Sequence, residues 1–293
     1  MAQSRLIYGV DFSSAPSSKK PITVAVGLLQ SGHLPTDLTP VPTFALARVF
    51  PLPSLEAFED FLSAKGPWIA GFDLPFSLPR PLIEHYGWPN QWSEFIDWYG
   101  QQSRANLRLA FKAFCDARPV GNKFVYRKTD RPAGSSPAMR WTNPPVAWML
   151  HAGAPRLKSA GLCLPGLYAG SDPPLQKRIG LEAYPGFTAR QVTRDSYKSD
   201  DASKHTPERR MARQKIVAAL CGGKAGLPVR LQLSTYWRRR FIDDGSGDLM
   251  DAAICALQAA SAVRLPDYGF PADLDTLEGW IASVPAAPST TIC

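Results

Sequence analysis

Four short apolar runs in the first quarter of the chain arrive in an order that constrains the fold more than any other feature. Leu6 to Asp11 (LIYGVD) and Ile22 to Leu29 (ITVAVGLL) are rich in β-branched residues and flank the polar, Pro-containing FSSAPSSKKP, the pattern of two strands and a loop. A third run, Phe44 to Phe50, follows the Pro-rich PTDLTPVPT, and three strands in succession predict an antiparallel meander. Ser54 then precedes Leu55, Phe58, Phe61 and Leu62, an apolar face at helical spacing, and Gly66-Pro67 ends that helix. Trp68 to Phe72 (WIAGF) reads as a buried strand. A helix between two strands implies a crossover, so this strand is expected to run parallel to an earlier one.

From Asp73 to about Gln176 the pattern becomes irregular. Prolines are dense there, no strand is clear, and Gln91 to Cys115 is helical in character, so residues 80–178 read as an insertion within one domain spanning 1–293. Inside it, Lys123 to Trp141 is a basic loop interleaved with aromatics; it suits phosphates and stacked bases, or equally a surface loop with incidental aromatics. Regularity returns with Ile179 to Tyr184 (IGLEAY), a strand ended by Pro185-Gly186. A helix follows with Thr206 at the N-cap, Pro207 in the first turn and Gly222-Gly223 at the end. Gly247 to Val263 is an Ala-rich helix whose Ala252, Cys255, Ala259 and Ala262 form a stripe that permits close approach to a sheet. The order is that of an α/β protein.

Composition narrows the class. With 45% hydrophobic and 20% charged residues the 293-residue chain is neither disordered nor fibrous, and it is long enough to build a core without disulfides or metal. The five cysteines show no CxxC pairing, and the opening MAQSRLIYGVDF lacks a signal peptide's apolar stretch, so a soluble, cytoplasmic protein with reduced thiols and no membrane partner is expected. His33, His85, His151 and His205 have no ligand spacing. The absence of GxGxxG, GxxxxGK[ST] and GxSxG argues against a dinucleotide fold, a P-loop and a serine elbow. The net charge of +8 is unevenly spread: residues 177–240 carry fifteen basic and five acidic side chains, residues 241–293 one basic and eight acidic. Basic segments beside an acidic end are expected where a polyanion lies against carboxylates, although solvated helix faces also give such runs.

The carboxylates carry the chemical argument. Asp11 and Asp73 end strands, where ligands bind in α/β sheets, Glu182 lies within a strand, and Asp248 and Asp251 open the last long helix on one face. Converging carboxylates repel and are normally held together by a divalent ion; hard oxygen donors favour Mg²⁺ or Mn²⁺. Two such ions, roughly 3.5–4 Å apart, serve phosphodiester hydrolysis. Each residue also has a purely local role open to it: Asp248 as a cap, Asp251 on the helix dipole, Asp11 and Asp73 in Asx turns. Glu182 needs a partner or an edge position, because a charge in an apolar strand is costly.

GVDFSSAP (Gly9 to Pro16), GFDLPFSLP (Gly71 to Pro79), LEAYPG (Leu181 to Gly186), SYK with the Arg-rich helix after it (Ser196 to Leu220) and DLMDAAICALQAA (Asp248 to Ala260), in that order, resemble the domain of unknown function 429 family. That family is described as predicted nucleases with an RNase H-like fold. The resemblance implies a mixed five-stranded sheet flanked by helices, three antiparallel strands followed by two parallel ones. It implies Asp11 as a metal ligand, Asp251 as a second with Asp248 beside it, and Asp73 or Glu182 as the third.

The expected activity is therefore Mg²⁺- or Mn²⁺-dependent cleavage of DNA or RNA, with Lys198, Arg209, Arg210 and Arg213 on the phosphate backbone. Two other readings stay open. One is a non-catalytic nucleic-acid-binding protein on a degenerate scaffold of the same kind. The other is phosphotransfer, since Asp11-Phe12-Ser13-Ser14 after a strand also resembles the first phosphate loop of the actin and sugar-kinase superfold.

Overall fold

The computed structural model describes residues 5–30 and 41–286. Most of the Pro-rich segment ahead of the third strand lies outside them, as do His33 and Cys293. Strands β1 (Arg5–Asp11), β2 (Ile22–Gln30) and β3 (Thr43–Leu52) form the meander expected from their β-branched runs. Helix α1 (Leu55–Leu62) starts where the Ser54 hydroxyl accepts the Ala57 N–H at 3.1 Å. It crosses to β4 (Trp68–Asp73), which runs parallel to β1.

Five helices then separate β4 from β5: α2 (Arg80–His85), α3 (Trp92–Gln101), α4 (Arg104–Asp116), α5 (Asp130–Ala133) and α6 (Val146–Ser159). Strand β5 (Arg178–Glu182) lies parallel to β4 at one edge. After it come α7 (Pro185–Val192), α8 (Pro207–Cys221), β6 (Arg230–Gln232), α9 (Thr235–Asp243) and α10 (Asp248–Ala262).

The sheet order is β5-β4-β1-β2-β3-β6, and β2 alone is reversed. The expectation of five strands is corrected to six: β6 is three residues long and adds parallel to the free edge of β3, with Arg230 opposite Thr43. Among the described residues no helix is long and apolar enough to cross a membrane.

Successive strand residues point to opposite faces, and each face has its own core. Val10, Val24 and Phe72 pack with Phe58 of α1 and with Phe95, Phe111 and Leu150 from the helices between β4 and β5. Ile7, Ala25 and Ile69 pack with Ala252, Ala256 and Ile216 of α10 and α8. The basic aromatic loop belongs to the first layer. Trp141 stacks near Phe111 with ring centroids 6.2 Å apart and Phe124 lies 5.7 Å from Trp141, so the half-buried Trp141 and Phe124 rings pack onto that core.

The closest approach in the second layer is set by glycine. Gly9 and Gly71 are register partners on β1 and β4. A Cβ on Gly9 would stand 2.0 Å from the Ala252 carbonyl oxygen, and one on Gly71 would stand 2.3 Å from that of Cys255. The small-residue stripe of α10 thus lies directly on backbone. That contact brings the first turn of α10 beside Asp11 and Asp73, each two residues after its glycine.

Candidate active site

Asp11 and Asp73 are themselves register partners at the carboxyl ends of adjacent parallel strands, whose spacing is about 4.8 Å. Both are half-buried on the floor of a cleft of about 770 Å³ that Lys198, Asp248, Glu182 and Arg127 also line. Among the described residues neither carboxylate accepts a hydrogen bond or pairs with a cation within salt-bridge distance.

Helix α10 supplies the next two acids. Asp251 is fully buried; its Oδ1 accepts the Tyr197 hydroxyl at 2.7 Å and its Oδ2 pairs with the Lys198 ammonium. Asp248 is the first helical residue after Gly247, whose φ of 80° is a left-handed conformation suited to glycine. Capping falls to Asp244, not to Asp248: its Oδ2 accepts the Leu249 N–H at 3.0 Å and its Oδ1 accepts the Ser246 hydroxyl at 2.7 Å. Asp248 therefore remains half-buried at the cleft wall without that duty.

These acids act on one another. Burial, then repulsion from Asp251, Asp73 and Asp248, holds the Asp11 carboxyl well above the ordinary range, with Lys198 opposing. Asp73 is pushed up to about 7 by burial, with Lys198 opposing and Asp251 and Glu182 adding to the rise. Asp248 is raised by burial and then by Asp244 and Asp251. At the centre, desolvation works against the Lys198 ammonium, but Asp251, Tyr197, Asp11 and Asp73 together push its pKa up, so it stays charged.

Glu182 is placed differently. It is 3% exposed, and Arg127 grips it bidentately, Nη2 to Oε1 at 2.6 Å and Nη1 to Oε2 at 2.8 Å, while the Phe76 N–H donates to Oε2 at 3.0 Å. Arg127 also donates through Nη2 to Asp130 Oδ1 at 2.8 Å, and both residues are buried. Both oxygens of Glu182 are engaged in this ion network, so it contributes charge to the site wall and no free donor. The network also claims Arg127, the most buried cation of the basic loop.

The α8 arginines have protein partners of their own. Arg213 is 3% exposed and donates to the carbonyls of Tyr197 at 2.7 Å and Ile242 at 2.8 Å. Arg209 donates to the Lys198 carbonyl at 2.6 Å, and Arg210 pairs with Asp243 at 2.8 Å. Arg209 and Arg213 thus hold the backbone of Tyr197 and Lys198 from behind. Tyr197, Arg127 and Asp244 are site residues to which sequence reasoning gave no role. For Tyr197 a signal existed, since it sits inside the SYK motif.

As a donor set, Asp11 and Asp73 offer hard oxygens with no other partner among the described residues, and Mg²⁺ is commonly bound through only one or two carboxylates plus waters and substrate phosphates. The pair fits such an ion. A closed cage does not form: among the described residues no group of three or more His, Cys, Asp or Glu side chains is arranged to hold a metal. Comparison of the chain with protein-family models, with curated proteins and with solved structures finds no match.

Proposed function

We propose that this chain is a divalent-metal-dependent phosphodiesterase acting on nucleic acid, built on an RNase H-like sheet as the resemblance to the domain of unknown function 429 family implies. The observation that carries the reading is the pair Asp11 and Asp73: in register on parallel strands, free of partners among the described residues, and facing a cleft. The strand order with β2 alone reversed is compatible with that fold. Asp11 and Asp73 would hold Mg²⁺ or Mn²⁺, which would supply charge neutralisation and an activated water for phosphodiester hydrolysis.

The chain's own residues do the rest. Asp248, at the cleft wall, orients water or a hydrated ion through its carboxylate. Tyr197 and Lys198 keep Asp251 neutralised, and Lys198 remains 43% exposed toward the cleft, where it faces a phosphate. Arg194, exposed at the same cleft and without an ion pair among the described residues, extends the positive wall along a backbone. DNA and RNA, single- and double-stranded, incubated with purified protein should be cut in Mg²⁺ or Mn²⁺ and left intact in EDTA. Asp11→Asn and Asp73→Asn should each lower the rate at least 100-fold, on the order of the loss from one transition-state interaction of about 3 kcal/mol. Failure to cleave any of these substrates would remove the reading.

One observation favours a second reading. The Lys198 ammonium already balances Asp251, as it would in a non-catalytic binding protein on the same scaffold. That protein would bind nucleic acid with a steep salt dependence and with no response to Mg²⁺ or to Asp11→Asn.

A further inference from the structure

We propose that the cleft takes an unpaired nucleotide of a single strand, its base on the wall supplied by α6 and its phosphate on the opposite wall; this rests on the phosphodiesterase reading above and names its substrate class. The two walls come from opposite faces of the sheet. Met149 of α6 packs against the first core and Tyr197 against the second, with Asp11 and Asp73 at the strand ends between them. Helix α6 is set directly on the residues that follow the two acids: a Cβ on Gly153 would stand 2.7 Å from Leu74 Cδ2 and 3.3 Å from Phe12 Cζ. Met149 and Val146 precede Gly153 by four and seven residues, so they continue the same helix face. That face runs from the contact into the cleft, where both side chains are half-buried.

The walls differ in chemistry. Pro144, Pro145, Val146 and Met149 make the α6 side apolar, and the cation on that side, Arg127, is buried and spent on Glu182 and Asp130. The other side carries Lys198 and Arg194. Its Asp195 and Asp200 are paired with Lys215 at 3.3 Å and with Lys20. Asp248, Asp11 and Asp73 are the cleft acids without a cation partner among the described residues, and phosphate repelled by these three settles on Lys198 and Arg194. A nucleotide has the same two-sided make-up, a base with broad apolar faces and an anionic phosphate. In a duplex the bases are stacked and paired inside, so reaching the α6 wall would cost unstacking. Asn143, on the same wall, offers amide donors and a carbonyl acceptor to a base edge.

The test reads binding and needs no turnover. In EDTA and again in Ca²⁺, fluorescence anisotropy measures the affinity of the full chain for labelled DNA and RNA about 12 nucleotides long, each as a single strand, as a duplex and as an abasic strand on the same backbone. The single strand should bind about 10-fold tighter than the abasic strand or the duplex at one salt concentration. Met149→Gln with Val146→Thr should abolish that preference and leave the affinity for the abasic strand unchanged. Arg194→Gln should instead weaken single and abasic strands alike and lower the salt slope by about 0.7. Equal affinity for single and abasic strands, a duplex bound as tightly as the single strand, or a preference that survives in the folded double variant would overturn the inference and leave the phosphodiesterase reading standing. No binding of any strand by the native chain would overturn both. Were the double variant unfolded by circular dichroism, the native chain's ranking of the three ligands decides.

Discussion

At the scale of single residues, the site is governed by charges that cannot all be expressed at once. Asp73 is the clearest case, with a carboxyl at about 7 against an ordinary 3.8. A carboxyl raised on folding stabilises the fold most when protonated. Its contribution is complete below the ordinary value and is lost as pH rises through about 7. Without divalent ions, urea denaturation should therefore show stability falling between pH 4 and pH 7. Asp73→Asn should lack that part of the slope and exceed the native chain at pH 8 by about 1–2 kcal/mol, allowing for solvent screening of a half-buried group. Saturating Mg²⁺ should reverse the order, since ligand at 100 times its Kd stabilises by about 2.7 kcal/mol. A flat pH profile, or native and variant profiles that coincide, would contradict this picture of the pair. The same logic explains Arg127: with Glu182 and Asp130 buried around it, it is the cation that makes two interior carboxylates tolerable.

At the scale of elements, the contact of α10 with β1 and β4 places the acids, and it depends on Gly9 and Gly71 having no side chain. Gly71→Ala would press a methyl into the Cys255 carbonyl. It should cost about 1–3 kcal/mol by denaturant titration and should weaken Mn²⁺ binding by lifting the first turn of α10 away from the strands. Unchanged stability would mean that the helix slides freely. Much at this scale was legible in the sequence. The β-branched runs of β1 to β4, the Ser54 and Thr206 caps and the small-residue stripe of α10 all carry local signals, and the structure places these elements within two or three residues of where those signals put them. What escaped had none. Strand β6 is too short for periodicity and is defined by the β3 edge it joins. Helix α6 carries Pro155 inside it. The Arg127–Glu182 pair joins residues 55 apart, and Arg209 and Arg213 reach the Lys198 and Tyr197 carbonyls 11 and 16 residues away.

At the scale of the whole molecule, two cores on opposite faces of one sheet leave the carboxyl ends of β1 and β4 as the floor of a cleft. The helices between β4 and β5 close it on one side through the Arg127 network, and the Tyr197–Lys198 segment and α10 close it on the other. Acids concentrated on that floor and cations set in the walls suit a phosphate-bearing polymer drawn toward a divalent ion. The central claim is that Asp11 and Asp73 hold this ion together. Anomalous diffraction from crystals grown with MnCl₂ tests it most directly. The account predicts one strong manganese peak between the Asp11 and Asp73 carboxylates, with the Lys198 ammonium still paired to Asp251. No peak at those two residues, or a peak displacing Lys198 with Asp11 and Asp73 turned away, would contradict it.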